Sequence, residues 1–377
     1  MLQRTSRRTF LRTAAAGAAG VAAASFIAPE AGIAQVRSPD SLPTNRPSER
    51  FRPTGRFGLG GVALGNAFTP AMEDELLGAV ETAWNEGVRY FDTSPWYGLG
   101  LSERRLGVFL QSRPRDEFVI STKVGRLLTP DASLGKRHVG IWQDAPAFDF
   151  RYDYTAEGTR RSIEESLQRL GLAQIDIVFI HDLSPDNSDL GEQWLDYFET
   201  ARQGAMVELT RMREEGLIKA WGMGVNEIEP ARRALEVSDP DIILQAAQYS
   251  LIKHEDALET LFPLAEAAGA SIVVGTPLMI GFLAGRHRYL WDGTIPAGAI
   301  EKRARLSRIA QDHGTDLLTV SLQFGNAPEV VSAVIPGART AQQVRQNAAA
   351  MRADVPAELW QALKRERLIA EHAPTPG

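Results

Sequence analysis

Short apolar runs of β character alternate with amphipathic stretches along most of this chain, and that alternation constrains the fold more than any other feature. Candidate strands occupy residues 57–64, 88–92, 118–123, 176–181, 218–225, 242–245, 271–276 and 332–335. Helical patterns stand between them at 72–86, 103–111, 156–170, 206–215, 257–268 and 302–312. In the 156–170 stretch Ile163, Leu167 and Leu170 share one face and Arg160, Glu164 and Gln168 lie opposite, the period of a surface helix. Gly87, Gly171, Gly216, Gly269 and Gly314 each fall just past a helical pattern, where a left-handed cap needs no Cβ. Regular βα alternation implies parallel strands joined by helical crossovers. Eight units with no second composition regime predict one closed (β/α)8 TIM barrel over residues 52–352, followed by a helix and tail at 353–377.

Composition narrows the function. With 377 residues, 44% of them hydrophobic, the chain can bury a large core. It has no cysteine, which excludes thiolate metal sites, cysteine nucleophiles and disulfide frameworks. The net charge is −6 and no long basic run occurs, so the footprint of a nucleic-acid binder is missing. The histidines at 138, 181, 254, 287, 313 and 372 form no ligand spacing, and no metal is expected. No run is apolar enough for a convincing membrane span, and stable membrane insertion is not expected.

The first residues read as an address. Ser6-Arg7-Arg8-Thr9-Phe10-Leu11-Arg12 precedes a dilute Ala/Gly stretch, the layout of a cleavable export signal. Paired arginines before Phe-Leu are similar to the bacterial twin-arginine signal. Gly32 and Ala34 place cleavage after Ala34, so residues 1–34 are expected to engage the twin-arginine export machinery and leave a periplasmic protein. Residues 35–51 are polar and Pro-rich and read as a linker.

Active sites of such barrels lie at the carboxyl ends of the strands. Here the second strand ends in Asp92, the third in Lys123, the fourth in His181, the fifth in Asn226 and the sixth in Gln245, with Tyr97 just after Asp92. Taken singly, each has a structural explanation; collected on one rim, they form a candidate site. Their chemistry coheres. A lysine ammonium lowers a tyrosine pKa, a carboxylate holds the lysine, and a histidine orients a reacting oxygen. Such a set suits proton transfer to or from a carbonyl or alcohol oxygen during hydride transfer. The segments 126–154 and 277–299 exceed ordinary loop length and are functional candidates.

These residues resemble a known family. Phe91-Asp92-Thr93-Ser94-Pro95-Trp96-Tyr97-Gly98, Ser102-Glu103, Leu106-Gly107, Ser121-Thr122-Lys123, Ile177-Val178-Phe179-Ile180-His181 and Pro336-Gly337-Ala338-Arg339 are similar, in order, to the motifs of the aldo-keto reductases. The resemblance implies Asp92, Tyr97, Lys123 and His181 as catalytic residues, with Tyr97 the acid/base. Val124-Gly125-Arg126-Leu127-Leu128 and the long 126–154 segment resemble the aldose 1-dehydrogenase branch. On the cofactor side the resemblance implies Asn226, Gln245, Gly337, Arg339, Thr340, Gln343 and Asn347. It also shows departures: Val225 replaces a serine, Gly275 replaces a stacking aromatic, and Gln346 replaces a glutamate. Arg339 suits a 2′-phosphate, favouring NADP over NAD. Gly58-Leu59-Gly60-Gly61-Val62-Ala63 imitates a dinucleotide fingerprint, but no helix can follow it directly, so it reads as the first barrel strand and its turn.

Trp96, Trp142 and Phe148 are expected to line a substrate pocket, or else to pack the long segment onto the barrel. The expected activity is NADP-dependent hydride transfer involving an aldehyde, ketone or sugar lactol. Two other readings use the same residues: a non-catalytic nicotinamide-binding or sensor protein, and a barrel lyase or isomerase.

Overall fold

The computed structural model describes residues 41–376; the expected export signal at 1–34 lies outside them. Eight parallel strands form one sheet in chain order: β1 Leu59–Gly60, β2 Tyr90–Asp92, β3 Val119–Val124, β4 Ile177–His181, β5 Ala220–Val225, β6 Ile242–Ala246, β7 Ser271–Gly275 and β8 Val331–Ile335. Parallel bridges Phe57↔Val334 and Gly60↔Gly337 join the first strand to the last and close the barrel. The helix over Ala156–Leu170 has the bounds its periodicity predicts, with Thr155 accepting from the Gly158 N–H and Gly171 capping at φ 64°. The other four cap glycines also have positive φ. Helices at Trp194–Gln203, Ile228–Val237, Leu317–Asn326 and Ala341–Arg352 complete the crossovers.

Strand alternation divides the interior in two. Tyr90, Val119, Ile177, Phe179, Ala220, Ile242, Leu244, Ala246, Val273, Ala333 and Ile335 face inward and form one apolar cluster. The intervening residues, such as Ile120, Val178, Trp221, Ile243 and Val274, join the larger cluster between barrel and helices. This phase decides which strand-end side chains can reach a site.

Residues 41–51, expected as linker, are built into the barrel from Leu42 onward. Thr44 pairs antiparallel with Gly55, Asn45 Nδ2 donates to Pro53 O and Ser332 O at 2.7 Å, and Phe51 packs against the inward-facing cluster. The polar composition is used at the edge of this plug, where Arg50 pairs with Asp239 and Asp241. Among the described residues no helix is long and apolar enough to cross a membrane.

The helix Ala357–Arg365 and the tail after it are tied to the barrel through a buried histidine. His254 Nδ1 lies 3.0 Å from Ser250 O and Nε2 accepts from the Ala370 N–H at 3.0 Å, so the ring is held neutral. Burial pushes its pKa below the ordinary histidine value. A depressed folded pKa gives stability that is intact above about pH 6.5 and lost as pH falls through the lower folded value. Thermal melts across that range should show this decline, and His254→Gln should flatten it.

Candidate active site

The inward phase of the strands carries three of the expected residues to one place. Two positions beyond Tyr90 stands Asp92, four beyond Val119 stands Lys123, and two beyond Phe179 stands His181. Lys123 Nζ donates to both Asp92 oxygens, at 2.8 and 3.0 Å, and to Thr93 O at 2.7 Å. Ser121 Oγ donates to Asp92 Oδ1 at 2.7 Å. Both partners are almost fully buried, with side chains 1% and 2% exposed. Burial holds Asp92 above the usual carboxylate range and Lys123 below the usual ammonium range, against their mutual attraction.

Tyr97 lies in the turn after β2, and Lys123 Nζ sits 4.5 Å from its ring centroid. The structure differs here from the expected lowering of the phenol pKa by the lysine: the lysine protons go to Asp92 and Thr93. Burial, followed by the charges of Asp92 and Asp182, pushes the phenol well above its ordinary pKa, while Arg126 acts in the other direction. Tyr97 therefore carries its proton at neutral pH. Among the described residues its hydroxyl has no hydrogen-bond partner, which leaves that proton available to a bound molecule.

His181 is buried, and burial together with Lys123 and Arg126 pushes its pKa well below 6.5, so the ring is neutral. Ser94 Oγ accepts from the Trp96 N–H and lies 3.1 Å from His181 Nδ1, while Nε2 lies 3.4 Å from Asp182 Oδ1. A carboxylate only accepts, so we assign the ring proton to Nε2 and let Nδ1 accept from Ser94. The Tyr97 and His181 rings meet edge-on at 5.7 Å.

Asp92, Tyr97, Lys123 and His181 line one cavity of about 930 Å³, ample for a dinucleotide cleft joined to a substrate pocket. The long 126–154 segment folds over one end as two antiparallel hairpins, Arg126–Pro130 with Phe148–Tyr152 and Arg137–Val139 with Trp142–Ala145. Trp142 bridges to Ala67, and Phe68 N donates to Ile141 O at 2.7 Å, so the lid is fastened to the loop after β1. Trp96 and Trp142 line the cavity. Phe148 does not: it shares a face with Phe150 but sits farther along the hairpin, over Arg104, and Phe150 takes the lining position.

The lid aromatics form their own cluster with Tyr97, separate from the barrel core. Packing and lining are thus one function for Trp142, which is 2% exposed and 5.6 Å from the Tyr97 ring. Trp142→Ala should raise KM for a sugar up to about tenfold, the worth of roughly one aromatic contact. Hydrogen exchange in residues 137–145 should quicken more than global melting shifts, because the barrel core is untouched.

The same cavity is also lined by Gly337, Arg339, Gln343, Gln346 and Asn347 from the loop after β8 and the helix that follows, joined by Arg286 and Arg288 from the 277–299 segment and by Asn226, whose Nδ2 donates to Asp186 Oδ2 at 2.8 Å. Thr340 is not a lining residue. Its side chain accepts from the Gln343 N–H at 3.1 Å and caps the helix Ala341–Arg352, whose N-terminus lies beside the cleft. Gln245 is also corrected. Leu244 and Ala246 point inward, so Gln245 points outward, where Nε2 donates to Val225 O at 3.2 Å and Ala246 O at 3.4 Å. A side chain at Gly275 would be tight in this packing, because its Cβ would lie 3.1 Å from Leu244 Cδ2 and 3.2 Å from Ala246 Cβ, so those neighbours would have to shift. Arg339 is partly committed, with its guanidinium donating to Ala67 O, Thr69 Oγ1 and Thr69 O.

The residues that sequence reasoning missed are Ser94, Asp182, Arg286 and Arg288. Asp182 had a usable signal, since it follows His181 directly and opens the acidic run Asp182-Leu183-Ser184-Pro185-Asp186-Asn187-Ser188-Asp189.

Comparisons with known proteins agree with this geometry. The sequence model of the Aldo/keto reductase family matches residues 56–366. D-threo-aldose 1-dehydrogenase from a Pseudomonas species is 38% identical over 332 residues, covering 85% of this chain and 95% of that protein. Pyridoxal 4-dehydrogenase of Microbacterium luteolum is 34% identical over 326 residues, covering 83% and 94%. Among solved structures, an aldo/keto reductase of Klebsiella pneumoniae in complex with NADP and acetate shares the fold at TM-score 0.60 and 20% identity, covering 86% and 95%.

Proposed function

Because the chain belongs to the aldo/keto reductase family and is an oxidoreductase, we propose that it transfers hydride between NADP and an aldehyde, ketone or sugar lactol, with Tyr97 as the acid/base. The observation that carries this reading is the buried constellation itself: a protonated phenol with a free hydroxyl, a neutral histidine and a bidentate lysine–aspartate pair, all lining one cavity. A non-catalytic binding protein would have no use for that arrangement.

The donor set drawn from the strand ends, the loop after β8 and the 277–299 segment fits the cofactor. Three arginines and a helix N-terminus suit phosphates, and the carboxamides of Asn226, Gln343, Gln346 and Asn347 suit base and amide edges. A 2′-phosphate on Arg339 would compete with Ala67 and Thr69 for its guanidinium, so NAD remains the alternative cofactor. When bound, the nicotinamide supplies or receives the hydride. The chain's own work is to hold the substrate oxygen between Tyr97 and His181. In reduction Tyr97 gives that oxygen its proton; oxidation runs the same step backwards, so the phenol first releases its proton to solvent and the phenolate then takes the substrate's. His181, kept neutral, donates from Nε2 and orients the oxygen.

The test is turnover by the purified protein, followed by the near-ultraviolet absorbance of reduced nicotinamide. A D-threo aldose with NADP should produce the reduced cofactor. Tight NADP binding with no turnover of any aldose or aldehyde would favour the sensor reading instead.

We also propose export through the twin-arginine route, supported by the Arg7-Arg8 motif and the dilute Ala/Gly stretch after it. Cell fractionation should find the chain in the periplasm, shortened at Ala34. Arg7→Lys together with Arg8→Lys should leave it in the cytoplasm, and periplasmic arrival of that variant would contradict the proposal.

A further inference from the structure

The loop after β4 places a carboxylate in the substrate end of the cavity that the proton-transfer mechanism does not use. Asp182 is a non-glycine residue at φ 47°, a conformation that costs of order 1–3 kcal/mol and persists only where the surroundings hold it. They do hold it. Its N–H donates to Gly224 O at 3.0 Å, and its O accepts from Asn187 Nδ2 at 2.9 Å. Arg126 Nη1 donates to Oδ2 at 2.8 Å. Arg126 is itself locked between the Trp96 and Tyr152 rings, 4.5 and 4.8 Å from their centroids, and donates to Tyr152 Oη at 2.9 Å.

The result is a fixed carboxylate with one oxygen spoken for. Among the described residues Oδ1 has only the His181 Nε2 contact at 3.4 Å, too long for a good hydrogen bond, and the side chain, 21% exposed, lines the cavity. Trp96 and Trp142 line the same cavity. A fixed acceptor left unused among aromatic faces suits a hydroxylated substrate, and a plain alkyl aldehyde cannot satisfy it.

The geometry points to Asp182 as the specificity-determining residue for this site: its Oδ1 accepts the hydrogen bond of a substrate hydroxyl next to the reacting carbon. The substrate class is then an uncharged α-hydroxy carbonyl or sugar lactol. Asp189, which accepts from Tyr152 Oη at 2.9 Å, adds a second carboxylate near Asp182 and disfavours carboxylates and phosphates there, while the phosphate-suited Arg286, Arg288 and Arg339 come from the 277–299 segment and the loop after β8. This inference rests on the hydride-transfer reading above.

A site built to bond a hydroxyl discriminates strongly against the analogue that lacks it. The experiment compares glyceraldehyde with propanal, which differ in their hydroxyls alone, using the full chain with NADPH. Wild-type protein should prefer glyceraldehyde in kcat/KM. In Asp182→Asn the ratio of the two kcat/KM values should fall at least about tenfold, since a bond to a charged group is replaced by a neutral one. The loss should appear mainly in KM for glyceraldehyde, whereas a residue acting only through His181 would lower kcat for both aldehydes alike. Arg126→Lys, which keeps the charge but not the fork holding the carboxylate, should lower the ratio in the same direction, and melting curves would show that both variants fold. An equal loss for both aldehydes, or a wild-type protein with no preference, would overturn the assignment of Asp182. Wild-type protein inactive on both aldehydes and on aldoses would overturn the hydride-transfer reading beneath it.

Discussion

Tyr97→Phe is expected to lower kcat by about 10²–10⁴-fold, the usual contribution of a positioned general acid. The structure sharpens the expectation because it separates catalysis from stability. The Tyr97 hydroxyl has no hydrogen-bond partner among the described residues, while its ring packs in the lid cluster beside Trp142 and over Lys123. Phenylalanine keeps the ring and removes only the hydroxyl. Folding stability should therefore change by less than about 1 kcal/mol, because no satisfied hydrogen bond is broken. Titration of NADPH fluorescence should show affinity near that of the parent, since the phosphate- and amide-binding groups are left in place. Parent-like kcat in this variant would remove Tyr97 from the chemistry.

Lys123→Met should be nearly as damaging to turnover and far more damaging to the fold. It strands the Asp92 carboxylate in an interior where the side chain is 2% exposed and only Ser121 remains as a donor. Breaking a buried pair by removing one partner costs about 3–5 kcal/mol. The sign of the pH dependence follows from Asp92. Burial already raises its pKa, and loss of the ammonium raises it further. A carboxyl whose folded pKa lies above its unfolded value contributes stability below the unfolded pKa and loses it as pH rises through the folded value. Urea denaturation of Lys123→Met should therefore show stability falling with rising pH from about pH 4 upward. Adding Asp92→Asn should recover much of that stability and none of the turnover.

The barrel was legible in the sequence because its signals are local. β-type runs, helical periodicity and glycine caps each report on a few neighbouring residues, and the Ala156–Leu170 helix ends where its pattern ends. The candidate site was legible because position at a strand's carboxyl end suffices to place Asp92, Lys123 and His181 on one rim. The errors arose where strand end was treated as equivalent to pocket wall. Gln245 occupies the right end of β6 but the wrong phase, and the residue that fixes the phase is the neighbouring inward Leu244. Phe148 failed for a related reason, since hairpin register, set by pairing such as Leu128↔Phe150, decides which aromatic reaches the cavity.

Residues 41–51 carried linker composition, yet Asn45 and Arg50 find partners near Ser332 and Asp241, hundreds of positions away in sequence. Asp182 was marked by its place directly after His181, but its role was not legible from that position alone. Its meaning depends on Arg126, 56 positions earlier, and on a backbone turned to positive φ.

The central claim is direct hydride transfer at the Tyr97–His181 site. An aldose deuterated at C1, supplied with NADP and the purified chain, tests it. The account predicts that reduced nicotinamide forms carrying the deuterium on its ring, in equal amount to the oxidised sugar, and that Tyr97→Phe forms neither. Reduced cofactor without deuterium, or oxidised sugar without reduced cofactor, would contradict it.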